Sequence, residues 1–303
     1  MPDFRGDQAS GLRRLFGGRR LRVVSFVAAG EGVGKTHAVG NLALALARQG
    51  QSVLVLDENH GRDNLTGFFG AEGGHDLLDV IHGRCGIDDI LIDVAENLQI
   101  CPAARAFRML DGFAPSEEAD LLAVLGGLRN TPDIILIDAA HDHPLGISPV
   151  GLVAAETVVV LSGNSHAITG SYALIKRVAE NCGRRHFRVL VNKVRQITEA
   201  EQIYANLSRV ATQRAVASIG LAGYLPFDDA VAHAAWLQQP LFNAFPDSAS
   251  ADAFREMALE LTQWEIAEEP LGVEQFMQQL VHLNQKLRPA DKRLAIQGVS
   301  LAR

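Results

Sequence analysis

"AAGEGVGKT" (residues 28–36) is the stretch that decides how this chain folds. It lies between an apolar run, "LRVVSFVA" (21–28), and a helical pattern that opens at residue 36. Strand, glycine-rich turn and helix, in that order, are the setting in which GxxxxGK[ST] works as a phosphate-binding loop. In the full pattern the backbone N–H groups cradle phosphates, the lysine reaches their outer oxygens and the Ser/Thr hydroxyl ligates Mg²⁺. Gly34, Lys35 and Thr36 fill the last three places, Gly30 and Gly32 keep the turn flexible, and Ala29 stands where the first glycine belongs. The plainer alternative is a turn rich in glycine by chance, and GxGKT at a strand–helix junction argues against it.

Outward from the loop, short apolar runs alternate with amphipathic stretches. Residues 21–28, 51–57, 97–101, 133–138, 157–162, 187–193 and 221–226 read as strands whose near-continuous Val, Ile and Leu content marks burial on both faces. Helical patterns occupy 36–49, 76–83, 116–129, 168–181, 198–214, 228–237 and 249–266. Such alternation predicts an α/β fold with a doubly wound, mostly parallel sheet of seven to eight strands. Asp57 closes "VLVLD" and Asp138 closes "IILID". A carboxylate at the carboxyl end of a parallel strand faces the ligand crevice, where it can hold a magnesium-bound water. Either aspartate alone could be a helix N-cap.

The chain has 303 residues, 48% hydrophobic and 21% charged, with a net charge of -7. Residues 1–22 carry six arginines against Asp3 and Asp7, a net of +4, which leaves -11 for the rest. An acidic body argues against broad binding to DNA backbone. No apolar run approaches the ~18 residues of a spanning helix, and there is no signal-peptide pattern, so a cytoplasmic location is expected. Cys85, Cys101 and Cys182 are odd in number and widely spaced, which suits a reducing compartment.

The two ends differ from the body. "DQASGLRRLFGG" (7–18) opens on Asp7, a good N-cap, and stops at two glycines. Ala9, Leu12 and Phe16 share one face of that short basic helix, which is marginal alone and is expected to fold against a partner. Near the C-terminus, Val273, Phe276, Met277, Leu280, Leu283 and Leu287 form an apolar stripe that Pro289 closes.

These residues resemble the MinD/ParA class of P-loop ATPases over about 21–266, and more narrowly the FlhG family, MinD-like regulators of flagellar number and placement. "DQASGLR" matches the family's DQAxxLR activation motif at each fixed position, and "ITGSYALIK" (168–176) and "GYLPFDDAVAHAAWLQQPLF" (223–242) resemble later family segments. The resemblance implies an activation helix over 1–20, a nucleotide-binding domain over 21–268, and a C-terminal amphipathic helix and tail over 269–303. It implies ATP/ADP and Mg²⁺ as cofactors, with Gly30, Glu31, Gly32, Val33, Gly34, Lys35, Thr36 and His37 on the phosphates. Asn192 would read adenine, and Thr36, Asp57 and Asp138 would serve the metal. Asp7, Gln8, Ala9, Leu12 and Arg13 would contact an FlhF-type signal-recognition GTPase. A flagellar switch component, a flagellar transcriptional activator and a homodimer partner are further implied candidates. Phe276, Met277, Leu280, Leu283 and Leu287 would give reversible contact with the inner face of the membrane, the alternative being packing on the body or a partner. The polar face of this helix is mainly glutamine, whereas stable attachment needs basic attraction or a second anchor.

Departures from the class pattern are as informative. Gly30 stands where KGGxGK[ST] has its first lysine, and Glu31 where the next glycine belongs. "DENHGRDN" (57–64) puts Asn59 in place of the aspartate that orients the attacking water, and "DAAHD" (138–142) puts Asp142 in place of a glycine. A cationic finger on a transferring phosphoryl group is worth about 10³–10⁵ in rate, roughly 4–7 kcal/mol of barrier. The expectation is a slow ATPase in which Asp138 and the degenerate Asn59 are the catalytic residues, with nucleotide binding retained. A scaffold without a nucleotide cycle is the alternative, and a ParA-type DNA-partitioning ATPase fits the acidic body less well. His60, His141 and His143 are read as solvated loop residues in preference to a metal cluster.

Overall fold

The computed structural model describes residues 21–60, 64–71, 73–126, 128, 131–265 and 273–287. Eight strands form one sheet: β1 (Arg22–Val27), β2 (Val53–Asp57), β3 (Ile92–Ala95), β4 (Leu98–Pro102), β5 (Ile134–Asp138), β6 (Glu156–Ser162), β7 (His186–Val194) and β8 (Ser218–Pro226). Their order is β3-β4-β2-β5-β1-β6-β7-β8, and all neighbours are parallel except the edge pair β3–β4. The expected doubly wound α/β sheet is therefore the fold. Among the described residues the strand missing from the sequence reading is β3. It is short, half-exposed and bulged between Asp93 and Ala95, so it lacks the continuous apolar run by which the other strands announce themselves.

The main helices before the middle of the chain are α1 (Lys35–Arg48), α2 (Leu65–Phe68), α3 (Leu77–Ile81), α4 (Ala104–Met109) and α5 (Pro115–Gly126). After it come α6 (Pro149–Val153), α7 (Ser165–Cys182), α8 (Ile197–Gln213), α9 (Asp229–Trp236), α10 (Leu241–Ala244), α11 (Ala249–Gln263) and α12 (Val273–Leu287). The sequence reading did not include α2, α4, α6 or α10, which at four to six residues are too short to show a helical period. Two apolar cores result, one on each face of the sheet. Leu42 and Leu46 of α1 are fully buried in one, with Phe254, Met257 and Leu261 of α11 beside them. The other takes Ile175 and Val178 of α7, Ala200 and Leu207 of α8, and Phe276 and Leu280 of α12.

Helix α12 thus turns Phe276 and Leu280 inward, against α5 and α6. Leu283 packs on the same core, and the fully buried Asn284 donates to Leu110 O at 3.0 Å. Packing on the body is the arrangement displayed. The Phe276 and Leu280 side chains expected at a membrane could meet one only if the helix left this seat. The Met277 and Leu287 side chains, and the segment bearing Asp7, Gln8, Ala9, Leu12 and Arg13, lie outside the described residues.

This topology positions the site. β1 lies between β5 and β6, so the connections leaving β1 and β5 run to opposite sides of it. A crevice opens at such a switch point, outside the carboxyl ends of the strands. The 28–36 loop leaves β1 there, and β2 and β5 bring Asp57 and Asp138 into direct register beside it.

Candidate functional site

The loop turns into α1 through Gly34, whose φ of 87° lies in the left-handed region. A Cβ there would also stand 2.5 Å from Nδ2 of Asn192, so both backbone and space require glycine. Gly30 and Gly32 have nothing within 4 Å of a Cβ position, leaving the loop open toward a cavity of about 850 Å³. Every residue from Gly30 to His37 lines that cavity, together with Asn59, His60, Arg108, His141 and Lys193.

Behind the loop is a cluster of buried charge. The ammonium of Lys35 forms an ion pair with Asp138, which is fully buried. Asn59 holds the two aspartates together: Nδ2 donates to Asp57 Oδ1 at 3.1 Å, to Asp138 Oδ2 at 2.8 Å and to Asp138 O at 3.0 Å. Asp57 also accepts from the backbone N–H of Asn59 (2.9 Å) and Leu65 (2.7 Å). Burial and the neighbouring charge of Asp138 nonetheless raise the Asp57 pKa to about 6. A carboxylate at position 59 would add a third negative charge to this pair, with Lys35 as the cation in contact. The amide at this departure point donates to both aspartates and adds no charge to the pair.

The departures at 31 and 142 also find partners. Glu31 Oε1 lies 3.2 Å from Nε2 of His141, which lines the same cavity, and Asp142 accepts from Nη2 of Arg108 at 2.9 Å. His141 is accordingly a partner for Glu31, and no group of three or more His, Cys, Asp or Glu able to hold a metal occurs among the described residues. His143 is partly buried, and that burial lowers its pKa.

Asn192 sits at the expected strand end, but its amide is engaged with the loop: Nδ2 donates to Val33 O at 2.8 Å, and Oδ1 accepts from Lys193 N at 2.8 Å. Here it braces the loop, and reading a base would require it to release Val33. Lys193, which the sequence reading did not include, reaches Gly32 O at 2.8 Å from a backbone with φ of 61°. Glu58 was also missed. It is buried beside Asp57, accepts from Ala140 N (3.0 Å) and from Ser148 Oγ (2.6 Å), and burial pushes its pKa up to about 7. Its sequence signal was slight, one acidic residue directly after a strand-closing aspartate.

The donor set fits a hard divalent cation: two adjacent carboxylates and the Thr36 hydroxyl in the first turn of α1 are all oxygen ligands. A glycine-rich loop lining the cavity, with one ammonium behind it, fits an anionic phosphate chain. Together, this sheet order and this loop define a P-loop protein of the MinD/ParA type. Residues 21–187 match the family described as "AAA domain". The chain is 31% identical to the antiactivator FleN of Pseudomonas aeruginosa, across 86% of this chain and 94% of FleN. It is 27% identical to the flagellum site-determining protein YlxH of Helicobacter pylori, across 63% of this chain and 64% of that one. The MinC:MinD cell division complex of Aquifex aeolicus shares the fold at a TM-score of 0.62 and 22% identity, over 82% of this chain and 98% of that one. MinD of Pyrococcus horikoshii, solved with Mg-ADP, does so at 0.58 and 21%, over 80% and 96%. The chain belongs to the FlhG/FleN family within the MinD/ParA class.

Proposed function

We propose that this protein binds Mg·ATP in the cavity at the carboxyl ends of β1, β2 and β5, and regulates flagellar number or placement through an FlhF-type GTPase. The observation that carries the nucleotide half is the Lys35, Asp57, Asp138 and Asn59 cluster behind an open glycine loop. Lys35 would exchange Asp138 for phosphate oxygens, while Thr36, Asp57 and Asp138 would hold Mg²⁺ directly or through water. Bound magnesium would supply charge neutralisation for the phosphates. Asn59 is already committed to the two aspartates, and Gly30 offers no cation, so the reading is slow hydrolysis with binding retained. The regulatory half is supported by the family membership and by "DQASGLR" at residues 7–13. A homodimer, a flagellar switch component, a transcriptional activator and reversible membrane contact through α12 belong to the same proposal. So does the division at residue 268, with 269–303 as a C-terminal amphipathic helix and tail.

Titration with Mg·ATP and Mg·ADP, following both heat and mass, tests the first half. Saturable binding with a change of mass is expected for a cycling switch, and binding of neither nucleotide would leave a static scaffold. For the second half, a peptide of residues 1–22 should accelerate GTP hydrolysis by an FlhF-type partner. No acceleration by the peptide, together with no loss on Gln8→Ala in the full chain, would refute it. The scaffold reading is favoured by Gly30 and by the amide at position 59.

A further inference from the structure

Cationic side chains line the cavity at three places, and they differ in what they are tied to. Lys35 is buried against Asp138, and Lys193 is on the carbonyl of Gly32. Arg108 is paired with Asp142, and both side chains are half exposed. Arg108 stands near the end of α4, which leaves the carboxyl end of β4, and Asp142 lies in the loop after β5. β2 runs between those strands, so the pair reaches across the end of β2, where Asn59 and His60 line the same cavity. An exposed pair of this kind adds only about 0–1 kcal/mol to the fold. A guanidinium, by contrast, presents a fork of N–H donors that matches phosphate oxygens. Arg108 follows β4 and Lys193 lies on β7, on opposite sides of β1, and Asp57 and Asp138 of β2 and β5 are on the Arg108 side of the loop.

We propose that Arg108 exchanges Asp142 for the outermost phosphoryl group of a nucleoside triphosphate, so that the site tells a triphosphate from a diphosphate. This rests on the nucleotide-binding reading above. Position 30 is glycine, and Arg108 supplies from α4 a second cationic contact beside that of Lys35. Asp142 holds the arginine when the outer phosphate is absent and competes with it when present.

The test is calorimetry on the full chain with Mg²⁺ and either ADP or a non-hydrolysable ATP analogue. Arg108→Ala should weaken the triphosphate analogue by about 10-fold or more, as loss of charge-assisted hydrogen bonds does. ADP affinity should stay within about twofold, because ADP lacks the group contacted. Asp142→Asn should tighten the analogue by about threefold, the worth of an exposed pair that no longer has to break. Equal losses for both nucleotides in Arg108→Ala, or no loss for either, would overturn the assignment while leaving nucleotide binding intact. So would a weakening in Asp142→Asn equal to that in Arg108→Ala, since the pair would then be a brace. Failure of the unaltered chain to bind ADP or the analogue would remove the nucleotide reading and this one with it.

Discussion

Both edges of the central sheet carry charged side chains, but they use them differently. At the amino edge, Arg22, Arg184 and Arg185 are spent on backbone carbonyls. Arg22 donates to Thr262 O (3.2 Å) and Trp264 O (3.0 Å), and Arg185 to Val216 O (2.8 Å). Arg184 donates to Leu152 O (2.9 Å), Ala155 O (3.3 Å) and Ala154 O. Arg188 pairs with Glu156 at 3.1 Å and lies 4.2 Å from the centre of the Trp264 ring. At the carboxyl edge, Lys35, Asp138 and Arg108 are held mainly by other side chains, and Asn59 links Asp138 to Asp57. Partly buried backbone carbonyls of strand and helix ends need a donor, so the amino-edge contacts are costly to release. Side-chain pairs can be exchanged for phosphate or metal. One edge is a fastening and the other a socket.

Lys35→Ala should separate the two most sharply. It leaves the Asp138 charge buried without its ammonium, a loss of about 3–5 kcal/mol in stability, and it should weaken Mg·ADP at least about 100-fold. Adding Asp138→Asn should restore most of the denaturant stability and none of the calorimetric affinity. If affinity returned as well, Lys35 would be a fastening like the arginines at the other edge.

The second test is pH. Burial raises Glu58 from its ordinary 4.5 to about 7, and Asp57 from 3.8 to about 6. A carboxyl with a raised native pKa contributes stability that is fully present below the unfolded pKa and is lost as pH rises through the native one. The unliganded protein should therefore lose about 3 kcal/mol through Glu58 between pH 4.5 and 7. Glu58→Gln should flatten that part of a urea-midpoint profile, leaving a residual slope at lower pH from Asp57. An unchanged profile would show that burial of the Glu58 carboxylate is not what lowers stability as pH rises.

The smallest effect belongs to the amino edge. Arg184→Ala should cost about 1–3 kcal/mol, the penalty for stranding carbonyls, and it should leave Mg·ADP affinity within about twofold because the sites are distant and share no partner. A larger change in affinity would break the division between fastening and socket.

How much of this was legible beforehand follows from how each signal is carried. The strands covered on both faces read directly from unbroken runs such as "VLVLD" and "IILID", and the loop from GKT at a strand–helix junction. The edge strand β3 and the four short helices α2, α4, α6 and α10 did not, since none is long enough to repeat a pattern. Glu31 and Asp142 looked like added negative charge at a phosphate site. Their partners, His141 and Arg108, are far away along the chain: Glu31 meets His141 because β1 pairs with β5, and Asp142 meets Arg108 because β4 and β5 flank β2. Glu58 and Lys193 were hidden for a similar reason, because each is defined by contacts from another connection.

By itself, then, the sequence determined the layered α/β architecture, the phosphate loop and the two aspartates at strand ends, because hydrophobic period and glycine placement are local properties of the chain. The tertiary structure alone decided that Asp57 and Asp138 are neighbours bridged by an amide, that Arg108 faces the cavity, and that α12 turns Phe276 and Leu280 inward. Those relations are set by strand order and helix packing, which bring together groups whose separation in sequence carries no record of their distance in space.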